Sequence, residues 1–312
     1  MQTVTLARNA MATRFEIVLH SGEAARLRAA GEGALGEIER LEGQLSLYRP
    51  SSEIARLNSA AGKHPVKLSP PVFRLLRKAV ELSHETKGAF DITVAPLVRC
   101  WGFMGQGGRK PTEEELEAAR AKVGVDKLLL DENDWMAQLI VEGAMVDLGA
   151  IGKGYAIDCA VEVLREAGVA SALVHGGTST VYGLGTPPGA EAWRVAIDGP
   201  REKGPVATID LHDSALSVSA GWGKSFELGG RKYGHVIDPR TGWPVDPSAG
   251  ATLAAVGLES AMETDALSTA LLVAGGGPNE ITRLRPKMAW LTLRDLDGAF
   301  QTSARNIPVC GA

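Results

Sequence analysis

Three stretches of the 312-residue sequence bring together residue types that do chemistry. In Asp147-Leu-Gly-Ala-Ile-Gly-Lys-Gly-Tyr155, an acid, three glycines and a lysine gather where an apolar strand is expected to hand over to a helix. Glycines let backbone N–H groups approach a phosphate, a helix N-terminus adds partial positive charge, and Lys153 adds a full one. The stretch is not a P-loop, because Asp147 stands where the first glycine of G-x-x-x-x-G-K-S/T belongs and Gly154 replaces its hydroxyl residue. Taken alone, it also reads as a tight turn with a solvated lysine. The second stretch, Tyr233-Gly-His-Val-Ile-Asp-Pro-Arg-Thr-Gly242, sets His235 on an alternating strand beside Asp238. An imidazole there can carry a proton or contact a ligand, while the bland alternative is a turn. In the third, Met262-Glu-Thr-Asp-Ala-Leu-Ser-Thr-Ala270, Asp265 and Thr269 are four apart and share one helical face. A carboxylate and a hydroxyl so placed suit a hard cation such as Mg²⁺; the alternative is a capping acid with an incidental threonine. Phe15, Tyr48, Phe90, Trp101, Trp222 and Trp243 could stack on a flat ring, though most aromatics are core.

The elements that must position these residues follow from apolar periodicity. Residues 12–20 alternate as a first strand. Leu27, Leu35, Ile38, Leu41 and Leu45 mark a helix over 23–47, and Phe73, Leu75, Leu76, Val80 and Leu82 mark another over 71–86. Thr112 with Glu115 has capping-box spacing ahead of a short helix. Two apolar runs joined by residues 131–134 suggest a hairpin, and residues 155–167 look helical. From 171 to about 258, short apolar runs alternate with Gly and Pro turns before a final helix over 260–274. The class is α+β. The chain reads as one unit over residues 1–312, with a loop at 106–111 as the best place for a hinge between two subdomains.

Composition excludes several functions. With 33 Lys plus Arg against 37 Asp plus Glu, the net charge of −4 and the absence of a basic stripe leave no electrostatic case for nucleic acid. Cys100, Cys159 and Cys310 have neither disulfide-framework nor zinc spacing. The longest stretch without Asp, Glu, Lys or Arg, residues 167–190, is rich in Gly, Pro, Ser and Thr, unlike a transmembrane segment. The first twenty residues lack a basic region followed by an unbroken apolar run. A cytoplasmic location is therefore expected for the chain as written, and a periplasmic one if a leader has been removed.

Together the segments resemble the ApbE family of FAD:protein FMN transferases. The resemblance runs in order through Met11-Ala-Thr-Arg-Phe, Leu47-Tyr-Arg-Pro-Ser-Ser-Glu-Ile-Ala-Arg-Leu-Asn, Thr86-Lys-Gly-Ala-Phe-Asp-Ile-Thr-Val-Ala-Pro-Leu-Val with Trp101-Gly-Phe, the Asp147 stretch, His175-Gly-Gly, the Tyr233 stretch and Asp265-Ala-Leu-Ser-Thr-Ala. It implies an α+β fold of largely antiparallel sheets flanked by helices, T-fold-like, that uses FAD as substrate and Mg²⁺ as cofactor. The implied activity is transfer of the FMN half to a threonine hydroxyl of an acceptor protein, with release of AMP. By motif, the resemblance puts FAD contacts on Met11, Tyr48, Ala89, Phe90, Asp91, Asp147, Lys153, and His235 with Val236. It puts the metal on the Ala150 carbonyl, Asp265 and Thr269, with Ser268 facing the same space, and catalysis on Lys153, His235 and Asp265. The sequence departs from the family pattern at Thr178, at Ser268 and at Ser219-Ala-Gly-Trp. An FAD pyrophosphatase and a non-catalytic FAD-binding protein are the alternatives that use the same residues.

Overall fold

A computed structural model describes residues 2–105, 107–200, 204–296 and 299–310; Gln106, which opens the expected hinge loop, lies outside the described residues. The chain begins with strands β1 (Val4–Ala10) and β2 (Thr13–Leu19), then α1 (Ala24–Leu45), α2 (Glu53–Ser59), β3 (Val66–Lys67), α3 (Pro70–Glu85), α4 (Ala95–Cys100) and α5 (Glu113–Arg120). The hairpin β4 (Leu128–Asp131) and β5 (Met136–Leu139) leads to α6 (Gly152–Glu166). A run of strands follows: β6 (Ala172–Gly176), β7 (Thr180–Leu184), β8 (Trp193–Asp198), β9 (Pro205–Leu211), β10 (Ser214–Ala220), β11 (Ser225–Leu228), β12 (Arg231–Gly234) and β13 (Leu253–Leu258). The chain closes with α7 (Ala261–Val273), α8 (Glu280–Leu284), β14 (Ala289–Leu296) and β15 (Ala299–Arg305).

One eight-stranded sheet, in the order β1-β2-β6-β7-β10-β13-β14-β15, organises the molecule, and every pairing in it is antiparallel. The alternation of the strands divides the core. Ala254 and Val256 of β13 face the layer that holds α1, α6 and α7, whereas Leu253 and Ala255 face the β8–β9 hairpin with Trp193 and Ile209. The sheet is covered on both sides, which is why β13 reads as an unbroken apolar run. A third cluster, around Trp101, Leu116, Tyr233 and Ile237, ties α4 and α5 to the strand before His235. Among the described residues no helix is long and apolar enough to cross a membrane.

Most local expectations hold and a few are corrected. Thr112 and Glu115 form the expected capping box at α5. β1 precedes the expected first strand, and a short helix and the β14–β15 hairpin follow the helix expected to be last. The residues ahead of Asp147 are not a strand. The side-chain amide of Asn58 instead takes both backbone groups of Val146, donating to its carbonyl at 2.9 Å and accepting from its N–H at 2.8 Å. Asp147 N–H then donates to the Ile92 carbonyl at 2.7 Å. β12 ends at Gly234, so His235 stands just beyond the strand.

Candidate functional site

The site is built on two packed helices, α6 and α7, each of which supplies a carboxylate to the start of the other. The first four N–H groups of a helix have no partner inside it. At the start of α7, Asp158 of α6 supplies the acceptors: its carboxylate takes Ala261 N–H at 2.8 Å, Met262 N–H at 3.0 Å and the Ser260 hydroxyl at 2.7 Å. One turn along α7, Asp265 returns the favour to the start of α6, accepting from Gly154 N–H at 3.2 Å and facing Lys153 Nζ at 3.5 Å. Only glycine allows the helices this close, because a Cβ on Gly154 would lie 2.1 Å from the Ala261 carbonyl oxygen. The glycine of the Gly-Lys-Gly run therefore serves helix contact, while the lysine beside it serves the cleft.

That cleft, of about 710 Å³, opens in front of the α6 start. Lys153, Asp147 and Ala150 line it from the glycine-rich junction, Asp265 and Thr269 from α7, Phe90 and Asp91 from the loop ahead of α4, and His235 and Val236 from the segment after β12. The remaining sequence-predicted residues are placed elsewhere. Tyr48 is 71% exposed and is not among the residues lining the cleft. Met11 sits in the β1–β2 turn with φ of 50°, and Ala89 is buried immediately before Phe90. Ser268 is buried, with its hydroxyl 2.9 Å from Ser219 Oγ rather than on the cleft lining.

Lys224 and Asp198 also line the cleft and carried no signal in the sequence. Lys224 bonds His235 through its carbonyl, which any residue type possesses, and Asp198 comes from a strand end where the β8–β9 register shifts.

The cleft changes its own acids and base. Burial raises Asp91, against the opposing hydrogen bonds from Thr93, whose N–H and hydroxyl donate to Oδ1 at 2.7 and 2.6 Å. Burial likewise raises Asp147, opposed by Gly149 N–H at 2.8 Å and by the charge of Lys153. His235 is lowered, chiefly by burial and further by the charges of Lys224 and Lys153. Its Nδ1 lies 3.1 Å from the Lys224 carbonyl. A carbonyl only accepts, so Nδ1 carries the proton and Nε2 is left as the acceptor of a neutral ring.

The unfolded chain binds a proton at His235 near pH 6.5 and the folded chain resists it, so stability present above that pH is lost as pH falls toward the folded value. Urea unfolding at pH 8 and pH 5 is expected to show wild type losing more stability on acidification than His235→Gln does. Equal losses would mean that the ring does not resist protonation.

Among the described residues there is no group of three or more His, Cys, Asp or Glu side chains able to hold a metal ion. Asp265, Thr269 and Ala150 nevertheless line the cleft, and between them they carry a carboxylate, a hydroxyl and a backbone carbonyl. This all-oxygen set fits a hard cation that takes few protein ligands and completes its shell with phosphate and water. It does not suit a soft metal.

A glycine-spaced helix start with its lysine thus faces the oxygen-bearing side chains of a second helix across one cleft. The chain belongs to the ApbE family, whose model matches residues 11–290. It is 34% identical over 247 residues to the FAD:protein FMN transferase of Vibrio cholerae, covering 76% of this chain and 71% of that one. It is 31% identical over 288 residues to the enzyme of the same name from Haemophilus influenzae, covering 88% and 81%. Among solved structures, the ApbE protein of Thermotoga maritima matches with a TM-score of 0.87 and 28% identity over 97% of both chains. The flavin transferase ApbE of Vibrio cholerae matches with a TM-score of 0.86, at the same identity and coverage.

Proposed function

We propose that this protein is a Mg²⁺-dependent FAD:protein FMN transferase acting on a threonine of an acceptor protein. The observation that carries the reading is the meeting, in one cleft, of Lys153 at the α6 start with Asp265 and Thr269 of α7. In the reaction, the acceptor hydroxyl oxygen bonds to the FMN phosphorus of FAD, the bond from that phosphorus to the bridging oxygen breaks, and AMP leaves with the bridging oxygen. The hydroxyl proton passes to a base. Lys153 meets the pyrophosphate charge, and the glycine-rich turn lets backbone approach it. His235, held at Nδ1 by the Lys224 carbonyl, positions the ligand with its acceptor Nε2, the role favoured here over proton abstraction. Mg²⁺, held by Asp265, Thr269 and the Ala150 carbonyl, would offset charge on the pyrophosphate as the leaving group forms.

Incubation with FAD and Mg²⁺, with and without a threonine-containing acceptor peptide, tests this. AMP released only with acceptor supports transfer. AMP with free FMN and no acceptor makes the protein a pyrophosphatase, and no AMP makes it a flavin-binding protein. Lys153→Ala is expected to weaken FAD retention about tenfold, the scale of one charge-assisted contact. Unchanged FAD affinity by fluorescence titration would remove Lys153 from the phosphate.

A further inference from the structure

Along β10, Ser217 and Ser219 point to the same side, toward α7. Two strand residues advance about 6.7 Å and four helical residues about 6.0 Å, so a strand and a helix lying side by side can match these repeats. They do so here. Ser217 Oγ is 2.7 Å from Thr264 Oγ1, and Ser219 Oγ is 2.9 Å from Ser268 Oγ, four residues further along the helix. Ser219 Oγ is also 3.1 Å from Thr269 Oγ1, and unlike Ser268 it lines the cleft.

Each hydroxyl has one proton, which limits how this group can be wired. The Asp265 carbonyl already accepts the helical N–H of residue 269 and has room for one more donor. Ser268 Oγ reaches it at 3.1 Å and Thr269 Oγ1 only at 3.3 Å. Two relays satisfy every donor, and the one that gives the Asp265 carbonyl its closer partner, Ser268 at 3.1 Å rather than Thr269 at 3.3 Å, has Thr269 donating to Ser219, Ser219 to Ser268, and Ser268 to the carbonyl. With its proton drawn to Ser219, the Thr269 oxygen presents lone pairs to the cleft.

We propose that Ser219 is a positioning residue for the cation site, one that orients the Thr269 hydroxyl as a ligand by accepting its proton, while Ser268 ends the relay. This rests on the reading of Asp265 and Thr269 as cation ligands given above. A residue that fixes the orientation of a metal ligand is commonly worth about tenfold or more in metal affinity.

The test is Mn²⁺ binding to the FAD-loaded full chain, followed by electron paramagnetic resonance, with circular dichroism to confirm folding. Ser219→Ala is expected to raise the Mn²⁺ dissociation constant about tenfold and Ser219→Thr, which keeps the hydroxyl, to restore it. Ser268→Ala, which leaves the Thr269–Ser219 bond in place, is expected to change it less than about threefold. A wild-type constant in Ser219→Ala, with binding abolished in Asp265→Asn, overturns the role of Ser219 and leaves the cation site standing. Equal weakening in Ser219→Ala and Ser219→Thr marks a packing effect and also overturns it, as does a loss in Ser268→Ala matching that in Ser219→Ala. No Mn²⁺ binding by wild type overturns the cation site and the role of Ser219 together.

Discussion

Asp265→Asn is expected to cut Mg²⁺-dependent AMP release at least about a hundredfold, a barrier change of roughly 3 kcal/mol. Asp265 is buried, and its carboxylate faces Lys153 and Gly154 N–H at the cleft wall. Asparagine keeps the acceptor for Gly154 and nearly the same volume, so the helix contact survives while the negative charge that would hold a cation is lost. Asp265→Ala is the harsher change. It leaves a buried N–H without its partner and a half-buried lysine without its counter-charge, at about 1–3 kcal/mol of stability. Comparing the two separates folding from chemistry. AMP release is measured against Mg²⁺ concentration for wild type and both variants, with circular dichroism as the folding control. A wild-type Mg²⁺ response in Asp265→Asn would place the metal elsewhere and end the proposed role of this residue.

The second large effect comes from one methyl group. In Gly154→Ala the new carbon would meet Ala261 O at 2.1 Å, Ala261 C at 2.5 Å and Met262 Cα at 2.8 Å. All three are backbone atoms, so no side chain can rotate away and the helices must part. Overpacking of this kind costs about 3 kcal/mol. In a chain of this size that lowers the melting temperature by roughly 5 °C. Parting the helices also stretches the Asp265 and Asp158 contacts, so AMP release is expected to fall with stability. Gly36→Ala in α1 is the matched control. A Cβ there meets nothing within 4 Å, and alanine favours a helix over glycine by about 1 kcal/mol. Thermal unfolding of the two variants decides the matter: a Gly154→Ala protein as stable as Gly36→Ala would show that the helix contact tolerates a side chain.

What could be read from the sequence was whatever depends on near neighbours. The Thr112 capping box needs only residues three apart, and the i, i+4 spacing of Asp265 and Thr269 puts both on one stripe of α7 whatever that stripe faces. Ser268 shows the limit. At 100° per residue it falls about 60° to one side of Asp265 and Thr269 about 40° to the other, and local pattern cannot say which side meets the cleft. β10 answers that question by taking the Ser268 hydroxyl. Long-range partners were hidden for the same reason. The bonds from Asn58 to Val146 span 88 positions, and without them the segment before Asp147 reads as a strand. β1 and β15 are the edge strands of the sheet, with only one side paired, and β15 alternates weakly, with no fully buried residue.

The reciprocal acids of α6 and α7 also bear on synthesis. The Asp265–Gly154 contact joins residues 111 positions apart and the Asp158–Ala261 contact residues 103 apart, so neither helix start is complete until the other helix exists. A ribosome adding about 5–20 residues per second emits the glycine-rich turn several seconds before α7. During that interval the nascent chain holds Lys153 without its acid and has no Thr269. The proposed site is therefore complete only once α7 has left the exit tunnel and docked, and a product truncated before α7 carries the glycine-rich turn without Asp265 and Thr269.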